Sequence, residues 1–349
     1  MEKVQASTHD MQRPVVLAAA SAFYQAVDFF DWESGAHIGT LTGLIAQPHE
    51  LASDNDNRRL FLTHTYRSGA YGTGAEPGHE VSIIDVDSQS VADVIDIHPF
   101  IAPHGVQYNK ATRLLFASVE KSDAGNGVII IDPQSKKVLD HIPTQAENSH
   151  WVAVTQAGDR CFVTHKEAPF LSVLDVRERR VVDTVALPGG AEEVDLSCDD
   201  RFAYTPTPHQ TTPAPENHAQ SRLVKIDTHT LKVVASAELP RANSAVRVGA
   251  HGTVYVTQMT PTGRKFGSER GALHVLDGAT MTVRGTVPLG SESFTIREAP
   301  DGASVCVANG ASNTVSVVDL ATLTVTRTLN IPPSRDFLFS GTHGLSFVA

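Results

Sequence analysis

From Val15 onward the chain is a succession of short apolar runs separated by Gly, Asn, Asp and Ser, and alternation with a period of two persists where a helix would show a period of 3.6. The clearest unit is "ASVCVANGASNTVSVVDLATLTVTRTLNI", residues 303–331. It predicts a strand over Ser304 to Ala308, a polar turn, a second strand over Thr314 to Asp319, a short turn and a third over Thr324 to Leu329. Valine and threonine dominate the runs and Asn, Gly and Asp the turns, as strands require.

The middle strand of this unit, apolar and closing on aspartate, recurs. It is found at Val27 to Asp31, Val81 to Asp85, Val128 to Asp132, Leu171 to Asp175, Leu223 to Asp227, Leu273 to Asp277 and Val315 to Asp319. These seven copies lie 42 to 54 residues apart. Short strands repeated at that period predict an all-β fold, a seven-bladed β-propeller with four-stranded blades. The first copy begins at Val15 with no inner strand ahead of it, while His343 to Ala349 reads as an inner strand with nothing after it. The C-terminal strand is therefore expected to complete the N-terminal blade and close the ring, removing the open edge. The division is a flexible polar tail over residues 1–13 and a single propeller domain over 14–349. An aspartate repeated in all seven copies reads as a turn cap rather than a catalytic group.

The wording of the units resembles the YVTN-type repeat family. Cys306-Val307-Ala308-Asn309 and Val254-Tyr255-Val256-Thr257 come closest, and the resemblance extends over nearly all of the chain. It implies the propeller fold; propellers of this kind bind ligands, hold redox partners or catalyse lyase reactions, so chemistry must be read from the residues.

Aligning the seven inner strands on Leu51, Val106, Val152, Val194, Val246, Ile296 and Leu345 places His49, His104, His150, Glu192, Ser244, Phe294 and His343 two residues upstream. Inner strands surround the channel of a propeller, so these positions should ring its mouth. With His343 in the first blade, four histidines and Glu192 occupy consecutive blades. Imidazole suits iron, manganese, zinc, copper or nickel, and a carboxylate can complete the set or orient a histidine. The expected cofactor is one divalent first-row metal ion, held by His49, His104, His150, His343 and Glu192. The architecture is similar to that of carotenoid-cleaving oxygenases and oligogalacturonate lyases, whose propellers carry histidine-rich metal sites.

His64 and His165, in "THTYR" and "THKE", are expected on the outer wall of the same mouth as proton-transfer groups. Tyr66, Arg67 and Lys166 are expected to contact substrate there. Three long loops, 66–80, 206–221 and 259–271, would overhang it, and Arg264, Lys265 and Arg270 add positive charge.

Composition narrows the partners. Acidic residues exceed basic ones by 39 to 28, a net charge of −11, which argues against nucleic acid and anionic membranes. No apolar run reaches the roughly 20 residues of a membrane span. No phosphate-binding glycine loop, serine-hydrolase elbow or Cys-x-x-Cys-His haem motif is present. The three cysteines are widely spaced, which suggests a reducing, cytoplasmic setting. The expectation is a metalloenzyme acting on a small, carboxylate-bearing molecule, an oxidoreductase or a lyase/isomerase. The alternative is a non-catalytic propeller that binds a ligand or a protein.

Overall fold

The computed structural model describes residues 13–68, 74–121, 125–208, 221–240, 243–259, 270–334 and 336–349. Seven antiparallel sheets of four strands follow one another around a ring, and no helix occurs among the described residues. The closing blade, which we number one, joins the strand Thr342–Val348 to Val16–Ser21, Ala26–Asp31 and His37–Leu41. Val16 pairs with Val348 and Leu17 with Phe347, so the seam is a continuous ladder. Of the expected tail, all but Arg13 falls outside the described residues, as do 69–73, 209–220 and 260–269 of the three long loops, with Arg264 and Lys265.

The core is divided into seven apolar clusters, one at every interface between neighbouring blades. Val27 and Phe29 of blade one meet Leu51, Leu60 and Leu62 of blade two; Leu17 and Leu345 meet Cys306 and Val315 of blade seven across the seam. The other five interfaces repeat this arrangement. Strands in the middle of a blade are covered on both faces, which explains why their sequences read as near-continuous apolar runs. The outermost strands face solvent: Thr324–Asn330 buries only Leu329.

The repeated aspartate is a turn cap in all seven blades. Asp31, Asp85, Asp132, Asp175, Asp227, Asp277 and Asp319 each accept a backbone N–H two or three residues on, at 2.7 to 3.0 Å.

Six of the seven inner strands keep the register expected from the sequence; in blade five Val194 lies just ahead of the two-residue strand Asp195–Leu196. Leu51, Val106, Val152, Val246, Ile296 and Leu345 pair with Leu62, Ala117, Val163, Val256, Val307 and Ala19. The register breaks just ahead of that residue, between Pro103 and Val106, between Ser149 and Trp151, and opposite Thr342–Leu345. Such a bulge re-aims a side chain out of the regular alternation. Three of the ring histidines, His104, His150 and His343, sit there, while His49 lies ahead of its strand.

Glycine makes the close approach at the axis possible. A Cβ on Gly105 would stand 2.9 Å from Trp151 Cα and 3.0 Å from the His150 carbonyl, and one on Gly344 would collide with the His49 carbonyl. Each glycine directly follows a ring histidine and lets the next blade press against it. Gly105→Ala is expected to cost about 1–3 kcal/mol and to push His150 away from His104. Thermal melting checks the first effect and a crystal structure of the variant the second.

Candidate metal centre

Four imidazoles meet at one mouth of the channel. The rings of His343 and His49 are 4.3 Å apart, those of His49 and His104 4.2 Å, and those of His104 and His150 3.6 Å. Phe294, the ring residue of blade seven, stacks on His343 at 4.5 Å. His49, His104 and His150 are buried, and His343 leaves 13% of its side chain exposed.

Hydroxyls hold the ring residues in place from behind. Thr63 Oγ1 donates to the His104 carbonyl at 3.0 Å, Ser118 Oγ to the His150 carbonyl and Thr164 Oγ1 to the Glu192 carbonyl at 2.7 Å. These three occupy equivalent places in blades two, three and four, each pinning the ring position of the next blade.

Two buried carboxylates complete the set, and neither is Glu192. Glu120 Oε1 lies 3.5 Å from His150 Nε2 and 4.0 Å from His104 Nε2; Glu50 Oε1 lies 2.5 Å from His343 Nδ1. Two groups of potential ligand atoms result, His104 with Glu120 and His150, and His49 with Glu50 and His343, each within 4.8 Å. Glu192 belongs to neither; its backbone carbonyl accepts the His150 Nδ1 proton at 3.0 Å. Glu120 is the penultimate residue of the strand Leu114–Lys121, and Glu50 directly follows His49. An acidic residue in so apolar a strand was the available signal for Glu120.

Burial suits these groups to a cation. Desolvation, with the neighbouring imidazoles and Lys166, holds His49 and His104 well below the usual histidine range, so both rings are neutral at pH 7. Neutral imidazole is the form that binds metal, and burial beside a carboxylate favours a compensating positive charge. The residues present fit a divalent ion.

Of the expected substrate contacts, Tyr66 and Lys166 converge on Glu120. The Tyr66 hydroxyl donates to Oε2 at 3.4 Å and Lys166 Nζ stands 3.7 Å from Oε1. Burial and the Glu120 charge push the Tyr66 phenol up. Arg67 turns away, pairing with Glu80 and donating to His79 Nε2 at 3.0 Å. Arg270 is exposed.

His64 and His165 are not on the outer wall of the mouth; both are fully buried inside their blades. His64 Nδ1 donates to the Ala46 carbonyl at 3.0 Å and Nε2 accepts from Ser82 at 2.7 Å, while His165 Nε2 meets Ser172 at 2.9 Å. In blade seven the equivalent Asn309 donates to Ser316 at 2.9 Å. The position is therefore a cross-strand polar tie within the blade. Burial lowers the pKa of His64, His165 and His274 to about 4. The unfolded chain then binds more protons between about pH 4 and 6.5, and stability should fall as pH drops through that window. His64→Ala strands the Ser82 hydroxyl and the Ala46 carbonyl at about 1–3 kcal/mol each. It should lower the melting temperature at pH 7, shrink the acid-induced loss and leave metal content unchanged.

No family model matches the chain, and no curated protein matches it. Solved structures do, as propellers. The periplasmic gluconolactonase of Pseudomonas aeruginosa aligns with a TM-score of 0.70 and 18% identity, over 97% of this chain and 99% of that one. Hydrazine synthase of Kuenenia stuttgartiensis aligns at 0.65 and 17%, over 84% and 82%. Dihydro-heme d1 dehydrogenase aligns at 0.59 and 13%, over 92% and 64%. These likenesses establish the seven-bladed fold and include enzymes. No helix among the described residues is long and apolar enough to cross a membrane.

Proposed function

We propose that this protein is a metal-dependent enzyme of the lyase or isomerase type, acting on a small carboxylate-bearing molecule at the histidine ring. The observation that carries the reading is the meeting of four imidazoles, two carboxylates, an amine and a phenol at one mouth of the channel. His49, His104, His150 and His343 would hold first-row divalent metal, with Glu50 and Glu120 as the carboxylate donors and the Glu192 carbonyl orienting His150. Bound there, the ion supplies Lewis acidity toward a carbonyl or carboxylate oxygen.

The remaining work falls to the chain's own groups. Lys166 Nζ is placed to exchange a proton with substrate beside Glu120, while the Tyr66 hydroxyl keeps Glu120 turned as an acceptor. Phe294 covers the His343 ring and keeps water from that side. An amine and a phenol favour proton transfer over oxygen chemistry as the reaction class. The cysteines are free, in keeping with a reducing, cytoplasmic setting.

Purified protein of measured metal content would be incubated in deuterated water with small 2-hydroxy acids, 2-keto acids and aldonolactones, the last because one neighbouring fold is a gluconolactonase. Expected is chelator-sensitive deuterium incorporation or conversion seen by NMR. Metal-dependent oxygen uptake without exchange would overturn the lyase or isomerase assignment in favour of an oxygenase. One observation favours a second reading: His104 and Glu120 are so thoroughly buried that the centre resembles a closed, structural site. A fully metallated protein inert to the panel would identify a non-catalytic, metal-holding propeller.

A further inference from the structure

We propose that the ring is a binuclear centre, with one ion held by His104, His150 and Glu120 and a second by His49, His343 and Glu50. This deepens the metal-enzyme reading and rests on it. Each half contributes two imidazoles and one carboxylate, with ligand atoms within 4.8 Å of one another. Among the described residues no set of that kind joins members of both halves. The rings of His104 and His343, on opposite sides of His49, are 6.1 Å apart. The potential ligand atoms fall into two adjoining pairs of imidazoles, each with its own carboxylate.

The tautomer of His150 suits an ion in the first half. His150 gives its Nδ1 proton to the Glu192 carbonyl, so the neutral ring turns the Nε2 lone pair toward Glu120 Oε1 at 3.5 Å. An ion there would be bonded by both atoms, beside the Lys166 amine 3.7 Å from the same oxygen. The second half offers the same donors in a different order along the chain: Glu50 lies next to His49 in blade two, and His343 comes from blade one. The halves touch where His49 meets His104 at 4.2 Å. Each set of two imidazoles and one carboxylate would hold one ion, and the pair would supply Lewis acidity toward a substrate carboxylate.

The test counts ions. Protein stripped with chelator is titrated with Mn(II), and bound metal is measured by mass spectrometry and electron paramagnetic resonance. Two ions per chain with an exchange-coupled spectrum are expected, with one ion and no coupling in both Glu120→Gln and Glu50→Gln. The wild-type titration decides the stoichiometry even if a variant folds poorly. A single ion at saturation, or two uncoupled ions, would overturn the binuclear centre while leaving a metal-dependent enzyme in place. No bound ion would overturn both. Two coupled ions in a protein inert to every substrate would uphold the centre and sink only the enzymatic reading.

Discussion

Removing residues 342–349 is expected to leave a protein that does not fold at 37 °C. The deleted strand buries Leu345, Phe347 and Val348 and forms the ladder to Val16–Ser21. At about 1.5–3 kcal/mol for each large buried side chain, the apolar loss alone is comparable to the 5–15 kcal/mol that typically separates folded from unfolded domains. The deletion also uncovers Leu17, Ala19 and Leu51 and bares the backbone of Val16–Ser21 along its length. Because His343 leaves with the strand, the proposed metal centre loses one of its imidazoles. Circular dichroism on heating and resistance to limited proteolysis give the readout. A truncated chain with the melting temperature of the full one would refute closure through blade one.

His104→Ala is expected to have the largest effect on chemistry. His104 sits mid-ring, fully buried, between His49 and His150 and beside Glu120. Its loss removes a proposed ligand and leaves the Glu120 carboxylate with fewer groups to balance it. If the ion contributes several kcal/mol of transition-state stabilisation, turnover should drop by about 10²- to 10³-fold or more, with metal occupancy falling in parallel. His64→Ala, which removes a buried tie away from the ring, is the matched comparison and should keep its metal. Full occupancy and full turnover in His104→Ala would refute the metal reading.

What could be read along the chain was whatever repeats with the blade. The seven aspartates, the seam between Val15 and His343, and the four histidines two residues ahead of a core position all follow from register, which a period-two pattern conveys. What could not be read depends on azimuth. His64 and Lys166 both lie near the ends of second strands, yet one points into its blade and the other toward Glu120. Alternation places them on opposite faces, but which face looks to the axis is set by the bulges of the inner strands. Glu120 was hidden for the same reason: it approaches His104 and His150 from a different strand and, for His150, a different blade. Arg67 shows the converse, a basic residue beside the mouth that its own blade has already engaged through Glu80.

The seam also sets a timetable. Val16 pairs with a residue made more than 300 positions later. At synthesis rates of about 5–20 residues per second, the strand "VLAAAS" waits roughly 15 to 70 s for its partner. During that interval six blades can assemble in order, each on the one before, while the first presents an unpaired apolar edge. Such an edge is a template for another copy's strand. Yield in the cell should therefore respond to translation speed and chaperone supply more than to the stability of the finished ring.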